Sequence, residues 1–346
     1  MNTTTTVSSL PSFLELEGLL NLGPSQHITE LVNQTLIRPL ADLMNRPGKK
    51  VRGHLVELGY RLAHAKTAEA SLYEACSEIL EAIHAGSLIV DDIQDGSRMR
   101  RGQPTLHLRY GIPVALNAGN WLYFWPMQKI RSLGLTAEQE LEVYQLCHQT
   151  LLRAHFGQAL DVGISIDSVA QAKIPEVCRA SLELKSGALM ALAISLGAVL
   201  GGAHRERQIL LNEFGHRFGV ALQMFDDIGN LRHKADVPPE SSKRFEDLLL
   251  KRASWIWVVV SENFDEREFA QFVHAVQQLP NDSFLVPWLE IHEIEKLARA
   301  KASEYLKKAI ADLESGLDQQ GSLGPFDRQA IQLVHQLTAK VAKAYE

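Results

Sequence analysis

Apolar residues recur three and four positions apart along most of this chain, and the every-other-residue alternation of a half-buried strand is scarce. A helix with that spacing must bury one stripe against another helix, so the pattern predicts an all-α class. Helical stretches fall at 50–65, 70–95, 113–131, 136–162, 173–202, 205–230, 245–261, 265–278, 288–316 and 327–344. The breaks, at Arg46-Pro47-Gly48, Asp95-Gly96, Gly102-Gln103-Pro104, Leu279 to Asp282 and Gly321 to Pro325, have no linker character. A single domain of about ten or more helices over 1–346 is expected, with 1–25 a loosely ordered N-terminal segment. Residues 232–243, with two prolines, two serines and mixed charges, read as a mobile loop.

The chain has 346 residues, 46% hydrophobic and 22% charged, enough to bury a large core. Lys plus Arg number 35 against 41 Asp plus Glu, so no overall basic field favours nucleic acid. The start, MNTTTTVSSL, has no basic or apolar leader pattern, and no uninterrupted apolar run suits a bilayer; a cytoplasmic protein without a transmembrane segment is expected. Cys76, Cys147 and Cys178 are widely spaced with no CxxC pair, which predicts packed free thiols.

The stretch 74–95 begins amphipathic, turns almost wholly apolar, and ends in Asp91, Asp92 and Asp95. On a helix, Asp91 and Asp95 share a face at roughly 5–6 Å between Cβ atoms, and the helix C-terminus is already partly negative. A cation relieves both, and oxygen ligands suit Mg²⁺. The construction recurs at 209–230, where Phe214, Phe218, Leu222 and Phe225 precede Asp226, Asp227 and Asn230. Either cluster alone reads equally as a solvated helix end or an N-cap. Two in one chain favour metal binding, with the ends facing each other across a cavity and sharing ions around one diphosphate.

Arg98, Arg100 and Arg101 follow the first cluster in a turn bounded by two glycines, and Lys49, Lys50 and Arg52 flank a Pro-Gly break. Arginine's planar fork suits phosphate, although each group taken singly reads as a solvated face. His84 lies two turns before Asp91, and Lys185 enters a small, apolar run. A core histidine and a lysine reaching the surface are the plain alternatives.

Together these residues resemble the trans-isoprenyl diphosphate synthase (polyprenyl synthetase) family, closest to the eukaryotic-like geranylgeranyl diphosphate synthases, from Gly48 to about Trp257. The resemblance implies a helical bundle around a central cavity and an Mg²⁺-dependent, homodimeric prenyltransferase. Asp91, Asp92, Asp95, Asp226, Asp227 and Asn230 would hold about three Mg²⁺ ions. Lys49, Arg52, His84 and Arg101 would bind isopentenyl diphosphate. Arg100, Lys185, Ser186, Gln223 and Lys243 would bind the allylic diphosphate, with Gln158 and Asp161 beneath. Arg252 stands where the family has lysine, and Ile256 where proline is common.

The resemblance also sends the growing tail down the helix that ends at Asp91, past Ser87 and Ile83. Gly86 and Ser87 stand where bulky family aromatics stop growth early, which implies a product longer than farnesyl, geranylgeranyl first. The run WLYFWP (121–126) either lines that tunnel or packs in the core. A class I terpene cyclase and a non-catalytic regulatory subunit are the rival readings; the residues assigned to a second diphosphate site argue against the first, and both intact clusters against the second.

Overall fold

The computed structural model describes residues 10, 18, 26–47, 51–63, 70–232, 244–321 and 325–344. Lys49, Lys50, Lys243 and positions 233–243 of the expected loop lie outside the described residues, as does most of 1–25. The described chain is helical apart from one short hairpin, as the periodicity predicts. It divides into two compact units, Met1–His54 with Glu69–Tyr144, and Leu55–Ala68 with Gln145–Glu346.

In the first unit, α1 (Gln26–Val32) runs through a π-helical turn (Asn33–Ile37) into α2 (Arg38–Met44). The opening turn of α3 (Val51–Leu62) belongs here, followed by α4 (Ala70–Gln94). A hairpin of β1 (Met99–Arg100) and β2 (Gln103–Pro104) leads to α5 (Leu106–Tyr110), α6 (Ile112–Ile130) and the start of α7 (Ala137–Gly163). Leu40, Leu43, Ile89, Leu106 and Leu122 form its core with Ala82, Ala85, Ala115 and Ala118. Those alanines let α4 and α6 approach closely.

Gly86 belongs to the same contact. A Cβ on Gly86 would sit 2.8 Å from the Gly119 carbonyl oxygen and 2.9 Å from Leu122 Cβ. Its small size serves the packing of α4 on α6. Ile83 is buried, and Ser87 is half-buried with its hydroxyl donating to the His84 carbonyl at 2.8 Å.

The C-terminus of α4 closes as a Schellman motif. Gly96 takes a left-handed φ of 64°, Ser97 N–H donates to the Asp92 carbonyl at 3.0 Å and Gly96 N–H to that of Ile93 at 3.4 Å. The first acidic cluster therefore sits on a capped end.

The second unit holds the rest of α3 and α7, then α8 (Ile174–Leu182), a π-helical turn (Glu183–Gly187) and α9 (Ala188–Leu200). Next come α10 (Arg205–Gly229), α11 (Glu246–Leu249), α12 (Trp255–Asn263), α13 (Glu266–Gln277), α14 (Leu285–Ile291), α15 (Ile294–Gln319) and α16 (Pro325–Ala344). The run 171–200 is long and apolar enough by composition to cross a membrane, and 72% of its window is buried inside the protein, as in a core helix. The three cysteines are free and buried, as expected.

Two expected helices are each broken in two. The 245–261 stretch stops after α11 because Lys251 turns left-handed, with φ 55°. Its carbonyl accepts from Ile166 N–H at 3.1 Å and its ammonium pairs with Asp167 at 2.7 Å. The 288–316 stretch breaks at Glu293, with φ 47°. Helices at 26–44 and 106–110 escaped the periodicity because they are short or interrupted by Pro39 and the π turn.

Helix α3 crosses α9 with a glycine on each side. A Cβ on Gly59 would fall on the Ile194 carbonyl oxygen, and one on Gly197 on that of Val56. Because backbone blocks both positions, Gly197→Ala should destabilise the protein by about 3 kcal/mol, the upper part of the overpacking range. Thermal melts followed by helical circular dichroism test this; an unchanged midpoint would mean the helices do not approach so closely.

Candidate active site

In the first unit the acidic end of α4 divides into buried and accessible carboxylates. Asp92 is 3% exposed and accepts from Arg100 Nε at 2.9 and 3.1 Å. Asp91 and Asp95 are half-buried on the same helical face, and Asp91 lies 3.9 Å from the Arg100 guanidinium. Asp92 is thus tied to the following hairpin, while Asp91 and Asp95 are the groups disposed to meet an ion.

The arginines of that hairpin gather with Arg52 around His84. Burial, then Arg52, Arg101 and Arg100, hold the imidazole well below its ordinary pKa of 6.5. His84 is therefore a neutral ring in a positive field, able to donate an N–H to an anion without charge of its own. Arg52 approaches Glu81 at 3.6 Å, and burial lowers the Arg101 pKa. The structure brings Arg52, His84, Arg100 and Arg101 together. Tyr123 of α6, within the WLYFWP run, has its hydroxyl pushed up to about 12 by burial and then by Asp91.

In the second unit Lys185 and Ser186 occupy the π turn between α8 and α9. A π turn inserts one extra residue and re-aims the side chains around it. Lys185 Nζ meets Asp161 at 2.6 Å, and Gly157 leaves room for it, since a Cβ there would be 2.8 Å from Lys185 Cγ. Ser186 Oγ donates to Gln223 Oε1 at 2.7 Å, and Gln223 Nε2 donates to Asp227 Oδ1 at 2.8 Å. The other Asp227 oxygen accepts from Trp255 N–H at 2.6 Å. Asp227, 3% exposed, is thereby anchored, whereas Asp226 is exposed.

Asn230 Nδ2 donates to Asp247 Oδ2 at 2.6 Å, a partner that sequence reasoning missed. The available signal was a carboxylate just before the apolar run Leu248 to Leu250. Burial, then Asp226, Asp161 and Glu246, push the Asp247 carboxyl up to about 7. Burial and then Asp247 raise Asp227 as well. A divalent cation suits this surplus of negative charge.

Among the described residues no three His, Cys, Asp or Glu side chains form a ready metal cage. Mg²⁺ needs none, because it keeps waters and takes phosphate oxygens beside one or two carboxylates. Within the first unit the half-buried Asp91 and Asp95 fit it, and within the second the exposed Asp226 with the Asn230 amide.

The two departures also find places. Arg252 donates to the Asp161 carbonyl at 3.1 Å, beneath Lys185. Ile256 is the second residue of α12 and 1% exposed. Proline is tolerated in a first helical turn because the N–H groups there lack intrahelical partners, so isoleucine fills the position with core contact instead.

The polyprenyl synthetase family model matches residues 33–287. A geranylgeranyl pyrophosphate synthase of Penicillium janthinellum is 26% identical over 275 residues, covering 80% of this chain and 67% of that one. Geranylgeranyl pyrophosphate synthase 2 of Zymoseptoria tritici is 28% identical over 279 residues, covering 80% and 74%. Among solved structures, a Corynebacterium glutamicum geranylgeranyl pyrophosphate synthase, complexed with isoprenyl diphosphate and magnesium, superposes with a TM-score of 0.74 at 20% identity, covering 94% and 95%. The chain shares that all-α fold.

The His84 environment has a direct consequence. With its folded pKa below 6.5, the unfolded chain takes up the proton first, so this residue lowers stability as pH falls below 6.5 and has no such effect above it. A ¹⁵N-imidazole NMR titration should find His84 neutral at pH 6.5; half-protonation at that pH would contradict the arginine-lined environment.

Proposed function

Because this chain belongs to the polyprenyl synthetase family, we propose that it joins an allylic diphosphate to isopentenyl diphosphate, giving geranylgeranyl diphosphate and pyrophosphate. The observation that carries this reading is the pair Arg52 and Arg101 beside the buried His84, a group of anion-binding side chains separate from Arg100 at the acidic end. Chain elongation needs a diphosphate site besides the one that is ionised, and a cyclase does not. The names of the fungal relatives and the small Ser87 support the geranylgeranyl length.

Asp91 and Asp95 at the end of α4, and Asp226 and Asn230 at the end of α10, would each take part in holding Mg²⁺, about three ions in all by family resemblance. Asp92 and Asp227 anchor those ends through Arg100, Gln223 and Trp255. Bound Mg²⁺ supplies Lewis-acid stabilisation of the departing diphosphate. Arg52, His84 and Arg101, with Lys49, orient isopentenyl diphosphate; Arg100, Lys185, Ser186 and Gln223, with Lys243, hold the allylic diphosphate. The allylic C1–O bond breaks, the terminal alkene carbon of isopentenyl diphosphate bonds to C1, and a proton leaves to the released pyrophosphate. The protein contributes orientation, charge stabilisation and exclusion of water.

Purified protein with Mg²⁺, isopentenyl diphosphate and each allylic primer should yield geranylgeranyl diphosphate by mass spectrometry, and nothing when isopentenyl diphosphate is omitted. Asp91→Ala and Asp226→Ala should each cut turnover at least a hundredfold, on the order of 3 kcal/mol of lost transition-state stabilisation, with helical circular dichroism intact. Near-normal turnover refutes the metal assignment, and a farnesyl product refutes the chain length.

We assign homodimerisation to the outer face of α6, where Ile112, Leu116 and the 73%-exposed Phe124 repeat at helical spacing, with Leu108 of α5 beside them. Wild-type protein should sediment as a dimer and the double variant Ile112→Lys, Phe124→Lys as a monomer. A monomeric wild type ends this assignment.

A further inference from the structure

The hairpin that carries Arg100 and Arg101 is held in an unfavourable shape. Arg100 pairs with Gln103 and Met99 with Pro104, which leaves a two-residue loop of Arg101 and Gly102. Both take positive φ, 51° and 75°. That is the geometry of a type I′ turn, which favours Asn-Gly, and an arginine in its first position is strained. Strain of this sort persists where surrounding structure over-determines it, and it concentrates at binding sites.

Arg46 supplies the determination. Its side chain is buried, 7% exposed, just before the Pro47-Gly48 break. Nη1 donates to the Arg100 carbonyl at 2.8 Å and more weakly to that of Gln103 at 3.5 Å. Nη2 donates to the Pro104 carbonyl at 2.9 Å and to Asp42 Oδ1 at 3.2 Å, and Nε to the Asp42 carbonyl at 3.2 Å. One planar fork thus gathers three carbonyls from the two hairpin strands. In return, the Arg46 carbonyl accepts from Arg101 Nη1 at 3.4 Å and helps to orient that side chain.

Asp42 secures the other side of the clasp. It also pairs with Arg109 at 2.7 Å and accepts from the Tyr110 hydroxyl at 3.1 Å, so one carboxylate serves two arginines. Lysine cannot replace this arrangement, because a compact ammonium lacks the rigid fork that spans carbonyls on two strands.

We propose that Arg46 is a positioning residue: its guanidinium locks the Met99–Pro104 hairpin and so presets Arg101, beside Arg100, for the diphosphate of isopentenyl diphosphate. The assignment rests on the reaction proposed above and adds a residue that touches no substrate. Arg100 is held separately by Asp92, so loss of the clasp falls first on Arg101 and on isopentenyl diphosphate.

The test compares wild type, Arg46→Met and Arg46→Lys by steady-state kinetics and by amide hydrogen exchange of residues 98–105. Arg46→Met should raise KM for isopentenyl diphosphate at least tenfold, with kcat and the allylic KM within about twofold, and should speed exchange at Gln103 and Thr105. Arg46→Lys should recover only part of either effect. An isopentenyl KM within twofold of wild type in folded Arg46→Met overturns the proposal. So does an equal loss in every kinetic constant with unchanged exchange. If Arg46→Met fails to fold, Arg46→Lys decides, and wild-type KM and exchange in that variant overturn it. If wild type itself makes no elongated product, the parent reaction fails, and the exchange comparison still shows whether the clasp exists.

Discussion

The structure depends on placing carboxylates at the C-terminal ends of long apolar helices, where both burial and the helix dipole oppose them. Each end meets this with a division of labour. Asp92 is buried against Arg100, and Asp227 is buried against Gln223 and the Trp255 N–H. Removing one partner of a buried ion pair such as Asp92–Arg100 commonly costs about 3–5 kcal/mol. The anchored residue is the buried one at each end, while Asp91 and Asp95 are half-buried and Asp226 is exposed.

Anchoring works only because the helices beneath are close-packed. In the first unit the alanines and glycines of α4 and α6 bring two backbones together and set the direction in which α4 delivers its aspartates. In the second, Gly215 and Gly219 of α10 let it lie against the π turn and α9, where a Cβ would strike the Met190 and Ser186 regions. That contact brings Ser186 within reach of Gln223, and Gln223 within reach of Asp227. Small residues chosen for backbone approach thus determine which polar groups can meet.

Charge is distributed with the same economy. Burial and then the surrounding arginines hold the His84 pKa down, while burial and then nearby carboxylates push that of Asp247 up. One region thus gathers positive charge and the other negative charge. The hairpin shows how finely the first arrangement is set: a strained Arg101, an anchored Arg100 and a buried Arg46 share one short turn.

The sequence by itself determined the helical class, most helix positions and the two acidic ends, because apolar periodicity and local charge spacing are properties of neighbouring residues. It also determined the arginine-rich turn, through the same locality. Only tertiary structure decided that Gly86 packs against α6, that Lys251 and Glu293 break two apparently continuous helices, that Asp247 partners Asn230 and that Arg46 clasps the hairpin. Gly86, Lys251 and Arg46 are set by groups distant in sequence: a facing carbonyl, an ion pair to Asp167, and three carbonyls 54 to 58 positions away. Local pattern carries no information about such partners, since the energy that selects them arises only when separate helices pack.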